Sequence, residues 1–600
     1  MTDMKKILSI AAIAAMTFSL VSCEKFLDSQ NYWSKDSSNF PVNETDADQM
    51  IAGIYNNLSK VIGNSPLFSH FMWSEAASDD CLGGGGANDQ AAQAEDLMLN
   101  FGSSMYDGFY TERYKGIARA NAAIEALPNL SASLNAEKVN QYMGEAFFLR
   151  AFYYYELASM FGNIPCPVTS TADPTLPQIS GEALWGQIIE DCKIAADIMP
   201  AKKSTGDGHV DKYAAEALLG RAYLFASGFY GLSDITLPAY ENESIGVSIA
   251  EGTKISKAEV GEYIKDCVNN SGYTLVNDPH NLWAYSNRCS VEDEKSPWKG
   301  KGYQWAENDG AVNPEAMFVI KFNTQPSWGT TIGYSNQTAL YWGVRGQSLD
   351  NGECFPFGTG WGMCPVNPSL VNDWKAAEPN DKRLDASVIS VDKWPSYKFG
   401  GDSNIQESGY YQTKIMPVLA WSEENGKYMK SFTNVMFPGL TWSSGNEDNF
   451  QLNSVNDMII IRFAEVLLMD AELNGNQASF DKVRARAGLE SKTISEDAIR
   501  NERRWELAFE GVRFNDLRRY GVAYAKAALD KQEGVSCYHS GVPGTNNASK
   551  YNGGYGARYE ATKGFVRIPE AQISLSAGAG AEYTYTQNDG WGAGTDFAGW

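Results

Sequence analysis

Apolar residues recur at helical spacing in two long stretches of the chain, and the periodicity breaks down between them. In the C-terminal stretch, over 501–521, Trp505, Ala508, Phe509 and Val512 fall at i, i+3, i+4 and i+7, which places them on one stripe of a helix. The other faces are charged: Glu510 reaches Arg513 and Asp516 reaches Arg519 at i+3, where opposite charges are neighbours on a helix surface. Gly511 interrupts the run and predicts a kink, or a stop and restart. In the N-terminal stretch, amphipathic segments bounded by Pro, Gly or Asn predict helices over 46–62, 67–77, 104–126, 136–161, 181–198, 212–230 and 257–269.

The longest of these segments mix small and bulky side chains. Over 136–161 they are Tyr142, Ala146, Leu149, Ala151, Phe152 and Tyr155, and over 212–230 they are Ala214, Ala217, Leu218, Ala222 and Phe225. Small residues let neighbouring helices approach closely, which is the mechanics of tetratricopeptide-like helical hairpins. Internal sequence identity is poor, so the expectation is of similar packing. Pro165 cannot continue a helix and stops the run before it.

Between 276 and 455 the pattern gives way to Gly, Pro, Asn, Ser and aromatics. Ten of the 16 tryptophans lie here: Trp283, Trp298, Trp305, Trp328, Trp342, Trp361, Trp374, Trp394, Trp421 and Trp442. A strand is predicted over 316–322 and a helix over 368–377. A sugar ring has an apolar C–H face and a rim of hydroxyls, so its site needs flat aromatic platforms with short polar side chains beside them. Trp298, Trp305, Trp328, Tyr334, Trp342 and Trp361 are the candidate platforms, with Asn336, Gln337, Tyr341 and Arg345 among them. Trp298, Trp328, Tyr334 and Trp361 are the best placed, since Gly, Pro or Ser flank each. Trp283 and Trp374 read as packing residues, the second because it falls within the helix at 368–377.

Composition narrows the function. With 600 residues and 43% hydrophobic content the chain can bury a large core. The formal net charge of -24 argues against nucleic acid as a partner, because phosphate binding needs a basic patch. Nine cysteines are too sparse for a disulfide framework, although Cys354 and Cys364 lie close enough in sequence to close a loop. The four histidines share no metal-ligand spacing. At the start, Lys5 and Lys6 precede an apolar run over 7–21 that reads as a secretion signal too short to span a bilayer. The run ends in Leu20-Val21-Ser22-Cys23, which resembles a bacterial lipoprotein cleavage box with Cys23 as the lipidated residue. Glu24 and Asp28 resemble the surface-export cue of Bacteroidetes lipoproteins, and residues 28–45, rich in Ser, Asn and Asp, read as a tether.

The charged string built from Arg503, Glu506, Leu507, Glu510, Gly511, Arg513, Asp516, Leu517, Arg519 and Gly521 resembles the signature helix of SusD/RagB-like outer-membrane glycan-binding lipoproteins. Residues 464–471 with 483–489 resemble the helix pair that precedes that signature. Residues 161–165 (FGNIP) resemble a turn after a long helix, and 564–575 with 585–591 resemble the closing segment. The resemblance implies a mainly α fold, a tetratricopeptide-like helical-hairpin scaffold with an irregular, partly β, aromatic-rich insert. It also implies a SusC-like TonB-dependent transporter as partner, and attachment to the outer membrane, extracellular face, through lipidated Cys23. In such proteins the loop after the second helix helps line the ligand face, which adds Asp80 and Asn88 as candidates. The glycines at 83–86 read as a flexible surface loop, since no Gly-Lys-Ser or Gly-Lys-Thr follows to make a phosphate loop. No cofactor is expected; a structural calcium on Asp79 and Asp80 is the sole metal reading, although the further oxygen ligands it needs are not evident.

The expected organisation is a signal peptide over 1–22, anchor and tether over 23–45, a helical region over 46–275, the aromatic ligand-binding region over 276–455, C-terminal helices over 456–530 and a closing segment over 531–600. The expected function is capture of oligo- or polysaccharide at the cell surface and delivery to the transporter. The alternatives are a SusD-like importer of a non-glycan nutrient such as peptide, and a glycoside hydrolase on a helical scaffold. Hydrolysis would need two flanking carboxylates; Glu75 with Asp79, or Glu423 with Glu424, are available in so acidic a chain by chance alone. Serine-hydrolase, zinc-protease and dinucleotide motifs are all missing, so an enzyme is not expected.

Overall fold

The computed structural model describes residues 40–600 apart from 65, 103–104, 133, 174, 326–334, 346–353, 425, 431–435, 438, 443–448 and 581–582. Helices dominate it. The N-terminal helices run Glu44–Asn64, His70–Ala76, Gln90–Asp96, Asp107–Ala126, Ala136–Phe161, Gly181–Ile198, Lys212–Tyr230 and Lys257–Asn270. Their ends have local causes. Asn135 and Asp211 accept the backbone N–H of Lys138 and Ala214 at the starts of two of them. Ser256 and Glu259 close a reciprocal capping box at a third.

From Asp107 onward these helices pack in sequence order, each of the long ones against the next. Ala146, Ala151, Ala214, Ala217 and Ala222 are fully buried, as the hairpin packing requires. The closest approaches occur at glycines: a Cβ on Gly144 would lie 2.2 Å from Met199 Cγ, and one on Gly220 2.6 Å from Ile264 Cδ1. Among the described residues no helix is long and apolar enough to cross a membrane.

The middle of the chain carries short antiparallel strand pairs, among them Ala316–Ile320 with Met458–Arg462, and Leu419–Ser422 with Lys427–Lys430. One large core runs through the helices. A second, separate core is made by Trp283, Tyr285, Trp298, Trp305, Phe355, Phe357, Trp394 and their neighbours. Much of the aromatic enrichment is therefore spent on building an interior where long helices are missing. Cys354 and Cys364 do not form a disulfide.

The stop and restart predicted at Gly511 is present and is wider than one residue. The helix Glu496–Leu507 ends, Phe509 and Gly511 take left-handed backbone with φ of 66° and 73°, and the next helix runs Arg513–Arg519. The charged faces do not meet solvent: Arg503, Arg504, Glu506, Glu510, Arg513, Asp516 and Arg519 are all buried. Asp516 does pair with Arg519, at 2.7 Å, and also with Arg503 at 2.8 Å. Glu510 turns away from Arg513 and meets Lys414 at 2.6 Å and Arg462 at 2.6 Å. Around it, Arg462 reaches Glu315 at 2.7 Å, Arg383 reaches Glu502 at 2.7 Å and Glu506 at 3.0 Å, and Arg486 bonds both Glu315 and Glu506. Burial alone would raise the Glu506 carboxyl, but Arg486, Arg462 and Arg383 outweigh it and hold it well below the usual range. The signature is thus an internal ionic knot that ties the insert, through Glu315, Arg383 and Lys414, to the C-terminal helices.

Candidate functional site

The residues that follow the helix His70–Ala76 build the floor of the candidate site. Cys81, Gly84 and Gly86 form antiparallel bridges to Val366, Met363 and Asn404. This corrects the reading of 83–86 as a flexible surface loop, because all four glycines are buried. Their identity follows from contact: a Cβ on Gly83 would lie 2.6 Å from Gln93 Cα, and one on Gly84 2.3 Å from Pro365 Cδ. Gly84 also has φ +66°, backbone that side chains other than glycine rarely adopt. The short helix Gln90–Asp96 behind the loop escaped sequence reading, since seven residues give too few turns for a period to show. Its Gln93 donates to the carbonyls of Gly84 and Gly86 at 3.0 and 2.9 Å.

Arg345 joins this floor to the insert. One nitrogen, Nη1, donates to Asp89 Oδ2 at 2.8 Å and to the Trp361 carbonyl at 2.9 Å, while Nη2 lies 3.0 Å from Asp402 Oδ2. Asp89 Oδ2 also accepts the Gly86 N–H at 2.7 Å. Tyr341 belongs to the same cluster: burial first, and then the neighbouring Asp89 carboxylate, push its phenol above the ordinary value. Trp361 packs on the main core and is half-buried, and Asn88, next to Asp89, is exposed. The result is a partly exposed tryptophan whose backbone is tied by the Arg345 guanidinium to a segment carrying carboxylate and amide groups. That set can stack on a sugar face and meet its hydroxyls.

The other candidate residues fare differently. Trp298 is 6% exposed, stacked on Tyr285 at 4.8 Å with Phe357 against its edge. Trp305 is sealed against Phe437, and Trp342 against Phe71. These three are core residues and present no face to a ligand. Asp80 is buried with Arg504 Nε 2.7 Å from its carboxylate, while Asp79 is held by Arg513 at 2.7 and 2.8 Å. Two guanidiniums already neutralise this pair, so it holds no calcium site and Asp80 faces no ligand. Trp328, Tyr334 and Cys23 lie outside the described residues. Trp421, one of the ten tryptophans but not singled out by sequence, is 39% exposed on the strand Leu419–Ser422. Its one distinguishing signal is a strand–turn–strand context, WSEENGKY, in which a tryptophan adjoins a charged turn.

Comparison with known proteins agrees with this architecture. Residues 25–224 match the family model described as "Starch-binding associating with outer membrane", and residues 352–591 match the model of the SusD family. SusD-like protein P2 of Formosa agariphila is 24% identical over 461 residues, covering 73% of this chain and 76% of that protein. Starch-binding protein SusD of Bacteroides thetaiotaomicron is 22% identical over 502 residues, covering 80% and 81%. Among solved structures, a laminarin-binding SusD-like protein superposes with TM-score 0.64 at 23% identity over 92% of this chain and all of that one. Surface glycan-binding protein A from Bacteroides thetaiotaomicron, in complex with laminarihexaose, superposes with TM-score 0.63 at 17% identity over the same shares. These likenesses fix the fold, and the two family matches take in both the helical scaffold and the segment that carries Trp361 and the ionic knot. The chain belongs to the SusD/RagB family of outer-membrane binding proteins, which are not enzymes.

Proposed function

We propose that this chain is a cell-surface, lipid-anchored glycan-binding protein that captures oligo- or polysaccharide and passes it to a SusC-like TonB-dependent transporter. The observation that carries the reading is the partly exposed Trp361, whose backbone carbonyl Arg345 ties to Asp89, the sequence neighbour of exposed Asn88. Two bonds from one guanidinium tie these two segments together, so little order remains to be imposed when a sugar ring stacks there. Family relatives named for starch, laminarin and surface glycans support the ligand class. Lipidation at Cys23 supplies the anchor: acyl chains contribute about 0.8 kcal/mol per buried CH₂, and more than one chain gives a lasting attachment.

The test is retardation of the purified protein in gels containing plant, host or microbial polysaccharides. Retardation by at least one polymer is expected, and migration unchanged by all of them would overturn the glycan reading. Delivery is tested separately: the chain should copurify with a TonB-dependent transporter in mild detergent, and Cys23→Ser should move it from the membrane fraction to the soluble fraction. Persistence of the Cys23→Ser variant in the membrane would overturn the anchor.

A further inference from the structure

Trp421 is the one tryptophan among the described residues that is exposed beyond a third of its surface. Its position is rigid. It faces Tyr428 across the strand pair, edge to face at 5.1 Å. Tyr428 in turn donates to Asp293 at 2.8 Å, lies 4.7 Å from Phe355 and has the Lys295 ammonium 5.1 Å from its ring. A buried, bonded tyrosine therefore props an indole outward, and the turn that follows it carries the exposed Glu423 and Glu424. An aromatic side chain with few rotatable bonds, already fixed on its inner edge, loses little entropy when a ligand covers its outer face.

The place of Trp421 relative to Trp361 is set by backbone pairing. Phe357 bridges Val418 antiparallel, and the Leu419 N–H donates to the Pro356 carbonyl at 2.8 Å while the Gly358 N–H donates to the Pro417 carbonyl at 2.6 Å. The strand with Leu419–Ser422 thus lies beside the segment that leads to Trp361. Because the pairing is antiparallel, the chain after Val418 heads away from Trp361. At ~3.3 Å per extended residue, four residues on one side of the Phe357–Val418 bridge and three on the other put the Trp361 and Trp421 backbones at most about 23 Å apart. An extended polymer can span such a distance.

We propose that Trp421 is a second glycan-contact point, so that a polysaccharide chain is gripped at Trp361 and Trp421 together; this rests on the glycan-binding reading given above. Linking two weak contacts along one polymer raises the overall affinity, because the second contact forms at high effective concentration. A fragment that reaches only one of the two gains nothing from it.

The experiment uses the full chain and a polysaccharide that retards it, compared with a trisaccharide cut from the same polymer. Trp421→Ala should weaken binding to the intact polymer about 3- to 10-fold while leaving trisaccharide affinity within about 2-fold, and Trp421→Phe should restore most of the loss. Trp361→Ala should weaken both. An exposed residue is being removed, so an unchanged thermal melt should accompany Trp421→Ala. Unchanged polymer affinity in Trp421→Ala overturns the second contact point, and so does an equal loss for polymer and trisaccharide. If no polysaccharide retards the native chain, the glycan-binding reading itself is what has failed.

Discussion

Arg462 holds Glu510 with two parallel bonds, Nε to Oε2 at 2.6 Å and Nη2 to Oε1 at 2.8 Å, deep inside the protein. Arg462 sits at the end of the strand Met458–Arg462, and Glu510 lies in the break between the two signature helices. The bidentate geometry suits arginine and would be lost with lysine. Removing one member leaves the other charged and buried. Glu510→Gln is therefore expected to lower unfolding free energy by about 3 to 5 kcal/mol, measured by urea denaturation. A loss below about 1 kcal/mol would show that the knot does not hold the insert to the helices.

Two buried carboxyls respond to pH in opposite directions. Burial, only partly offset by the Gly511 N–H bond, pushes Glu75 up to about 8. The folded protein therefore keeps this proton long after the unfolded chain releases it near about 4. The stability tied to that proton is complete below the unfolded value and drains away as pH rises toward about 8. Asp516 is the reverse. Burial would raise it, but Arg503 and Arg519 hold it at about 2, so its contribution is complete above about 4 and disappears as pH falls through about 2. The native chain should lose stability between pH 5 and 8, and Glu75→Gln should flatten that slope in denaturation series at stepped pH. Identical slopes would remove Glu75 as a contributor.

The long helices were legible because their causes are local. Residues 136–161, 181–198 and 212–230 carry their periodicity, caps and stops within the segment, and the structure ends them at those residues. Burial of polar and aromatic groups was not legible in the same way. Asp80 is buried because Arg504, 424 residues away, meets it there. Trp298 has a Pro and a Gly near it in sequence, as an exposed platform would, yet Tyr285 and Phe357 cover both its face and its edge. Local sequence told which rings stand in irregular segments; distant sequence decides which of them see water. Trp361 and Asn88 remain candidates because the described chain leaves their outer faces uncovered.

The glycine-rich floor offers a way to disturb the site without disturbing the fold. A Cβ on Gly86 would lie 2.2 Å from Arg345 Nη2, the movable end of a long side chain. Gly86→Ala should cost about 1 kcal/mol or less in stability, since only the guanidinium must shift. That shift breaks the bonds to Asp89 and the Trp361 carbonyl, and glycan affinity should fall several-fold in titration calorimetry. Gly84→Ala is the contrasting variant: it forces a side chain onto φ +66° and against the ring of Pro365, so it should destabilise the protein by about 2 kcal/mol or more. Equal melting temperatures for the two variants would contradict this packing.

Trp361 and Trp298 separate binding from folding. Trp361 keeps part of its indole in solvent, while Trp298 is enclosed by the second core. Truncating an enclosed tryptophan leaves a cavity, and Trp298→Ala should cost about 3 to 5 kcal/mol of stability, with the folded fraction binding glycan at unchanged affinity. Trp361→Ala removes a stacking face and exposes little new core, so it should weaken glycan binding by about 1 to 2 kcal/mol and shift the melt only slightly. Asn88→Ala should act in the same direction as Trp361→Ala with a smaller effect, because an exposed amide contributes about 0.5 to 1.5 kcal/mol through one hydrogen bond. Thermal melts and binding titrations on the three variants check the assignment together. Were Trp298→Ala to lose affinity without losing stability, the second core rather than the Trp361 shelf would be the ligand surface.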